Sequence, residues 1–462
     1  MTWVQDLPWR EPDTVLALWG RDPWCALLDS GGAVEERSRW RIFCHKPRHV
    51  LTAWPTHVQC DGVSLGCKTP LEILDCLRKL APDGESFETL GSERVDISFA
   101  GGLVGFASYG FGLGLEEVVS CHDEAGSPWL AAALYDHAFL WDRQEKRCYL
   151  AGFSINGLDE PARAQAFAQW CDLPTWAMDL PALPALTLTA DQDRQAYCQM
   201  VTQARDYIAA GDIFQVNITG RHTACLPPGL CGVDLYRHLR QQVPAPFGAY
   251  LSCGPDFALL SCSPERFLSV TPAGEIASRP IKGTAPRGAT AAEDERLLRW
   301  LAENDKERAE NLMIVDLMRH DIGRVAEIGS VRVPEFLHVE RFAHVHHLVS
   351  EVRAMLAPGR DVFDLLAATL PPGSVTGAPK HRAVEIIDAL EASPRGAYCG
   401  TVFRIGCDGG MDSSVIIRSF AREGTMLRID TGGGITILSD PQKEYEEMCL
   451  KLAPFLAFAQ QA

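Results

Sequence analysis

The sequence has no run of Lys or Arg longer than a pair, and its 43 basic residues stand against 60 acidic ones, a formal net charge of −17 over 462 residues. Duplex nucleic acid and anionic membranes are gripped through a basic face that releases counterions, so neither is expected as a partner. No uninterrupted apolar stretch approaches the ~18 residues of a membrane helix. The first twenty residues mix Asp6, Arg10, Glu11 and Asp13 with apolar ones, which is not the basic-then-apolar order of an export signal. A soluble, cytoplasmic protein is expected. The 16 cysteines form no CxxC pair and no Cys/His group of zinc spacing, so they are expected to be reduced and mostly buried thiols. There is also no internal repeat, no low-complexity tract, no GxGxxG between strand and helix and no Walker loop, which sets nucleotide binding aside. What is present, 47% hydrophobic and 22% charged residues, is an ordinary globular composition able to bury a large core.

One stretch, Leu173 to Thr187, carries three prolines among apolar residues. Proline restricts its own φ and that of its predecessor, so this stretch reads as a connector between a first segment, residues 1–180, and a second, residues 190–462. Strand-like runs precede it at Ala132–Trp141 and Cys148–Phe153. Beyond it, helical patterns cover Asp191–Ala210, Ala291–Met318, Val362–Leu370, Pro379–Leu390 and Pro441–Leu452. Strands are expected at Ala249–Cys253, Phe257–Cys262, Arg266–Val270, Val402–Ile405, Ser413–Phe420 and Met426–Asp430. Helices and strands are grouped rather than alternating, which favours α+β with a largely antiparallel sheet. Glycines between Gly101 and Gly114 read as tight turns and close backbone contacts.

Two helices carry paired acids. Glu307 and Glu310 are three residues apart, as are Glu444 and Glu447, with Lys451 one turn beyond Glu447. Like charges on one face repel by a few tenths of a kcal/mol, a cost that a divalent cation reverses, and all-oxygen donors suit Mg²⁺. Solvated surface is the competing reading. The loop PPGSVTGAP (371–379), with Thr376 just before a helix start, and Thr431-Gly-Gly-Gly434 after a strand both offer backbone donors to an anion; simple turns explain them equally. Arg418 ends the apolar run Val415–Ile417 and is either an edge-strand solvator or a carboxylate clamp. Lys282, between Ile281 and Gly283, is a nucleophile if desolvated and a surface lysine if not. Glu265 and His347 are candidate proton-transfer groups on the same footing.

Together these motifs resemble the chorismate-utilising enzymes. The matching pieces are SPERF (263–267), RPIKGTAPRG (279–288), KERAENLMIVDL (306–317), HVHHLVS (344–350), GSVTGAPK (373–380), MDSSVIIRS (411–419), TGGGI (431–435) and EYEEMCLK (444–451). PWCALLDS (23–30) and GGLVGFASYG (101–110) extend the likeness loosely into the first segment. The resemblance implies one intertwined α+β fold, with large, mostly antiparallel sheets forming a sandwich surrounded by helices. Within that family, lysine in PIKGT marks the para-aminating branch, where ortho-aminating relatives usually have alanine. Gln215 stands where the isochorismate-forming relatives usually carry a base lysine.

The implied reaction is Mg²⁺-dependent conversion of chorismate and ammonia to 4-amino-4-deoxychorismate, on the route to p-aminobenzoate and folate. Lys282 would attack C2, Glu265 would protonate the departing C4 hydroxyl, and His347 would lie near the ring. A separate glutaminase would supply the ammonia. Carried over by position, Glu310 and Glu447 would ligate the metal, and Glu307 and Glu444 would hold its waters. Thr376, Tyr398, Arg418, Gly432, Gly434 and Lys451 would contact the substrate carboxylates or its enolpyruvyl arm. Leu28, Asp29, Ser30, Pro246 and Phe247 match the family's tryptophan pocket. Departures at Gly110, His320, Phe403 and Arg404 are expected to alter packing or partner contacts, with Phe403 placed to narrow the substrate pocket. Anthranilate formation, or a catalytically silent chorismate- or tryptophan-binding subunit, are the alternatives.

Overall fold

The computed structural model describes residues 2–34, 38–82, 89–90, 97–123, 126–154, 160–341 and 345–461; His344 of the HVHHLVS motif lies outside them. Apolar residues alternate along most strands, and the alternation sorts them into layers. In Phe247–Ser252, Ala249 and Leu251 face one core and Tyr250 another; in Gly102–Ala107, Val104 and Phe106 face the first core and Leu103 a third. Among the described residues this period of two builds two sheets, of 13 and 12 strands, nearly all antiparallel. Their inner faces share a core that includes Ile42, Phe106, Leu140, Leu259 and Val402. Each outer face is covered by helices, making a helix–sheet–sheet–helix sandwich.

Both sheets draw strands from both sides of the proline-rich connector. Ala26–Asp29 pairs with Phe247–Ser252, and Gly102–Ala107 pairs with Thr401–Gly406. The connector itself has no regular structure from 174 to 188. It is fixed where Arg237 donates to the Met178 and Asp179 carbonyls and where His238 meets the Pro181 carbonyl.

Several elements differ from the sequence expectation for physical reasons. Ala132–Trp141 is two strands, Leu130–Tyr135 and His137–Asp142, which join different sheets. Ala291–Met318 is two helices, Ala291–Glu303 and Asp305–Gly323, divided at Asn304, whose side chain caps the second by accepting from the Glu307 N–H at 3.1 Å. Ser413–Phe420 divides into Met411–Val415 in one sheet and Ser419–Glu423 in the other. Arg418, at φ 53°, turns the chain between them. The last strand runs on from Asp430 to Ile435, taking in the three glycines, and the final helix, Pro441–Gln461, continues past Pro454. All 16 cysteines are free, but seven are buried, seven are intermediate, and Cys121 and Cys225 are exposed, so burial is less general than expected. Among the described residues no helix is long and apolar enough to cross a membrane.

Candidate active site

Two neighbouring strands leave one sheet for the other at the same place. Phe257–Ser263 becomes Arg266–Val270 through Pro264 and Glu265, while Met411–Val415 becomes Ser419–Glu423 through Arg418. Backbone bonds from Cys262 N–H to the Arg418 carbonyl (3.1 Å) and from Val415 N–H to the Glu265 carbonyl (3.1 Å) lock the two crossings together. Glu265 and Arg418 are thereby brought side by side from positions 153 residues apart. Burial pushes the Glu265 carboxyl above its usual pKa, against the pull of the Ser374 hydroxyl, Lys282 and Arg418. Arg418 is lowered by desolvation, opposed by Glu265. Its guanidinium makes no hydrogen bond or ion pair with any described residue, so its five donors are open to an incoming anion.

Lys282, on Ile281–Pro286, points its Nζ at the Ser374 carbonyl, 3.0 Å away. That contact ties the lysine strand to the GSVTG loop. Gly283 follows at φ 86°, and a Cβ there would stand only 3.0 Å from Glu307 Oε2, so glycine lets the strand lie against the first acidic helix. His347 is paired in register with Thr284 across the adjacent strand Val345–Met355; an irregularity between Ile281 and Thr284 separates it from Lys282.

The two acidic helices meet. Lys306 Nζ lies 3.8 Å from both Glu310 Oε1 and Glu444 Oε1, joining Asp305–Gly323 to Pro441–Gln461. Glu310 is raised to about 7 by burial, reinforced by Glu307 and Glu444 and resisted by Lys282 and Lys306. Burial likewise raises Glu307 and Glu444. Burial opposes ionisation of Glu447 too, but Lys451, 2.8 Å away, with Lys306 and Lys282, holds it below the ordinary value. Four carboxylates drawn together from two helices, three of them pushed toward the protonated form, are short of positive charge. The donors are all hard oxygens, the ligand type that Mg²⁺ takes.

The glycine strand supplies the backbone donors expected of a loop. Asn217 and Thr219 give their N–H groups to the Thr376 carbonyl and to Glu391 Oε1. Gly434 and Gly432, which stand opposite them, therefore turn their own N–H and C=O groups to the other edge. The strand Ser419–Glu423 has already ended there, which leaves both N–H groups without a ladder partner on that edge. Lys451 Nζ confirms the direction, donating to the Gly432 carbonyl at 2.9 Å. The Thr376 hydroxyl is engaged with the Pro372 and Gly373 carbonyls. Tyr398 is buried, its hydroxyl raised well above the usual value by desolvation.

Behind these groups lies a network that motif reading missed. Arg395, 2% exposed, donates to the Val375 and Asn217 carbonyls at 2.9 and 2.8 Å and to both oxygens of Glu391, which also accepts from Thr219. In sequence it is only an i,i+4 pair of the sort common on surfaces.

Leu28, Asp29, Ser30, Pro246 and Phe247, expected from the resemblance to form a tryptophan pocket, line a separate cavity of about 180 Å³ together with Trp40, Arg266 and Asp412. Burial alone would raise Asp29, but Arg240 and Arg41 hold it at about 2. Phe403 packs in the core beneath the helices and, with Arg404, borders this cavity. His320 points outward and Gly110 is buried in a helix.

A family model of chorismate binding enzymes matches residues 26–457. The chain belongs to that family. It is 38% identical to aminodeoxychorismate synthase component 1 of Klebsiella aerogenes over 96% of this chain and 95% of the relative. It is 39% identical to anthranilate synthase component 1 of Thermus thermophilus over 79% of this chain and 78% of that one. Among solved structures, anthranilate synthase component I from Streptococcus pneumoniae superposes with a TM-score of 0.79 at 28% identity, covering 91% of this chain and 92% of the other. That likeness is in keeping with the α+β sandwich.

Proposed function

We propose that the chain replaces the C4 hydroxyl of chorismate with ammonia, forming 4-amino-4-deoxychorismate for p-aminobenzoate and folate synthesis. The observation that carries the reading is Lys282, whose charge is felt by Glu265 on one side and by Glu307, Glu310 and Glu447 on the other. An amine between a proton donor and a carboxylate cluster suited to a metal is placed to attack a ring whose carboxylate that metal would hold. Lys282 Nζ, once deprotonated, bonds to C2; the ring double bonds shift, the C4–O bond breaks, and the proton of Glu265 leaves with the hydroxyl as water. Ammonia then bonds to C4 and the lysine is expelled from C2 as the double bonds return. His347, beside the ring, is a candidate for carrying the proton released from ammonia.

Arg418 and the N–H groups of Gly432 and Gly434 would grip a carboxylate, with Thr376, Tyr398 and Lys451 completing the contacts to the substrate. Glu310 and Glu447 would hold Mg²⁺, with Glu307 and Glu444 on its waters, and the bound ion would supply the positive charge that lets a dianion approach this acidic site. The ammonia would come from a glutaminase component, in keeping with the "component 1" of the relatives' names. On the same resemblance the cavity at Leu28 and Ser30 is a tryptophan pocket, and the reaction belongs in the reducing cytoplasm.

The test is to supply the chain with Mg²⁺, chorismate and ammonium and to identify the product by mass and fluorescence. A product that keeps the enolpyruvyl group and has exchanged hydroxyl for amine is expected. Fluorescent anthranilate with pyruvate would establish ortho-amination instead, the reading favoured by the 39% identity to the Thermus relative. Chorismate binding without turnover at any ammonium concentration would make it a silent subunit.

A further inference from the structure

The segment Ser120-Cys-His-Asp123 lies far in sequence from the helix Lys380–Leu390, yet it turns three unlike donors onto that helix's last turn. Cys121 Sγ, a ring nitrogen of His122 and a carboxylate oxygen of Asp388 all lie within 4.8 Å of one another. Tetrahedral ligands of a zinc ion stand ~3.3–3.8 Å apart, so closing the trio on an ion asks for about 1 Å of movement. Cys121 is exposed and His122 only partly buried, and neither resists such a shift.

The electrostatics of the place favour a cation. The Asp388 carboxylate accepts from the Ser120 hydroxyl at 2.6 Å and the Cys121 N–H at 2.7 Å, both neutral donors. It has no cationic partner among the described residues. The Asp388 carbonyl is one of the last four of its helix and so has no N–H from the following turn. Cys121 Sγ and His122 Nε2 approach it at 3.2 and 3.1 Å. An unbalanced carboxylate therefore sits at the negative end of a helix dipole. Hydrogen-bond capping by the thiol and the imidazole engages the carbonyl rather than the carboxylate; a divalent ion would balance the carboxylate charge.

We propose that Cys121, His122 and Asp388 form a Zn²⁺ site, with water or the Asp388 carbonyl in the fourth position. Thiolate and imidazole are the borderline-soft donors that select zinc over magnesium, so this site and the all-oxygen glutamate cluster discriminate between metals by chemistry. Zinc spacing was invisible in the sequence because two ligands are adjacent and the third lies 266 residues from His122. Binding releases the thiol proton to solvent, so affinity rises with pH. The ion fastens the segment that follows the helix Tyr109–Leu115 to the helix that follows the GSVTG loop.

The test titrates the full chain, stripped with chelator and held in excess Mg²⁺, with Co²⁺ as a spectroscopic stand-in. One equivalent is expected to bind with a thiolate-to-cobalt charge-transfer band and the strong visible bands of tetrahedral cobalt, and Zn²⁺ should displace it. The band should vanish in Cys121→Ser, bind about ten-fold more weakly or worse in His122→Gln, and persist in Cys225→Ser, which removes the other exposed thiol. It should persist in Glu310→Gln as well. If Cys121→Ser is poorly folded by circular dichroism, His122→Gln carries the decision with the same readout. Absence of a thiolate band, or its survival in both Cys121→Ser and His122→Gln, overturns the proposal.

Discussion

Lys282 Nζ donates to a carbonyl at 3.0 Å and stands between Glu265 and the glutamates of the acidic helices, and the proposed attack on C2 uses its free amine. Removing the amine with Lys282→Ala is expected to abolish any adduct detectable by intact mass and to lower para-amination by roughly 10²–10⁴. Undiminished turnover in this variant would refute the covalent role. Glu310→Gln deletes one charge from the carboxylate cluster while keeping its shape, so the Mg²⁺ concentration for half-maximal activity is expected to rise at least about ten-fold. An unchanged magnesium curve would remove Glu310 from the metal. At this scale the sequence was informative where spacing and identity were enough. The three-residue intervals of Glu307/Glu310 and Glu444/Glu447 placed each pair on one face, and the helices carrying them do meet. Arg395 was illegible, because its value lies in three carbonyl and carboxylate partners that only folding brings to it.

The elements that matter most are the places where regular structure stops. Arg418 reads as lying within one strand, Ser413–Phe420, at the end of its apolar run Val415–Ile417; the change of sheet there depends on a left-handed residue that no period reveals. The division at Asn304 was readable in hindsight from an Asn three residues ahead of a Glu, a common helix start. Glycine is rare inside strands, so the TGGG run reads as a loop; in the strand it leaves room for Gln215, whose Nε2 lies 2.3 Å from where a Gly434 Cβ would stand. Arg395 links this strand's partner to the GSVTG loop, so its substitution should act on binding. Arg395→Lys, which keeps the charge but loses the planar fork, is expected to raise the KM for chorismate about ten-fold with kcat changed far less. Equal losses in kcat and kcat/KM would contradict that role.

For the whole molecule, layer type was legible and sheet membership was not, since alternation tells which residues face a core but not which sheet they complete. Charge acts at this scale too. Burial lowers His45 and His137 to about 4, with Lys46 adding to both, whereas unfolded histidine titrates near 6.5. Between those values the unfolded chain binds more protons than the folded one. The stability associated with these histidines is therefore fully present above about pH 6.5 and lost as pH falls toward 4. Urea midpoints should decline across that window, and His137→Asn should flatten the decline; an equally steep profile in the variant would show that other groups govern it. The shared sheets also set a schedule for synthesis. The strand Gly102–Ala107 waits for Thr401–Gly406, about 300 residues later, which at ribosomal speeds is roughly 15–60 s. Throughout that interval a hydrophobic strand edge has no partner of its own, so the nascent first segment is a natural client for chaperones, and its solubility depends on how fast the second segment arrives.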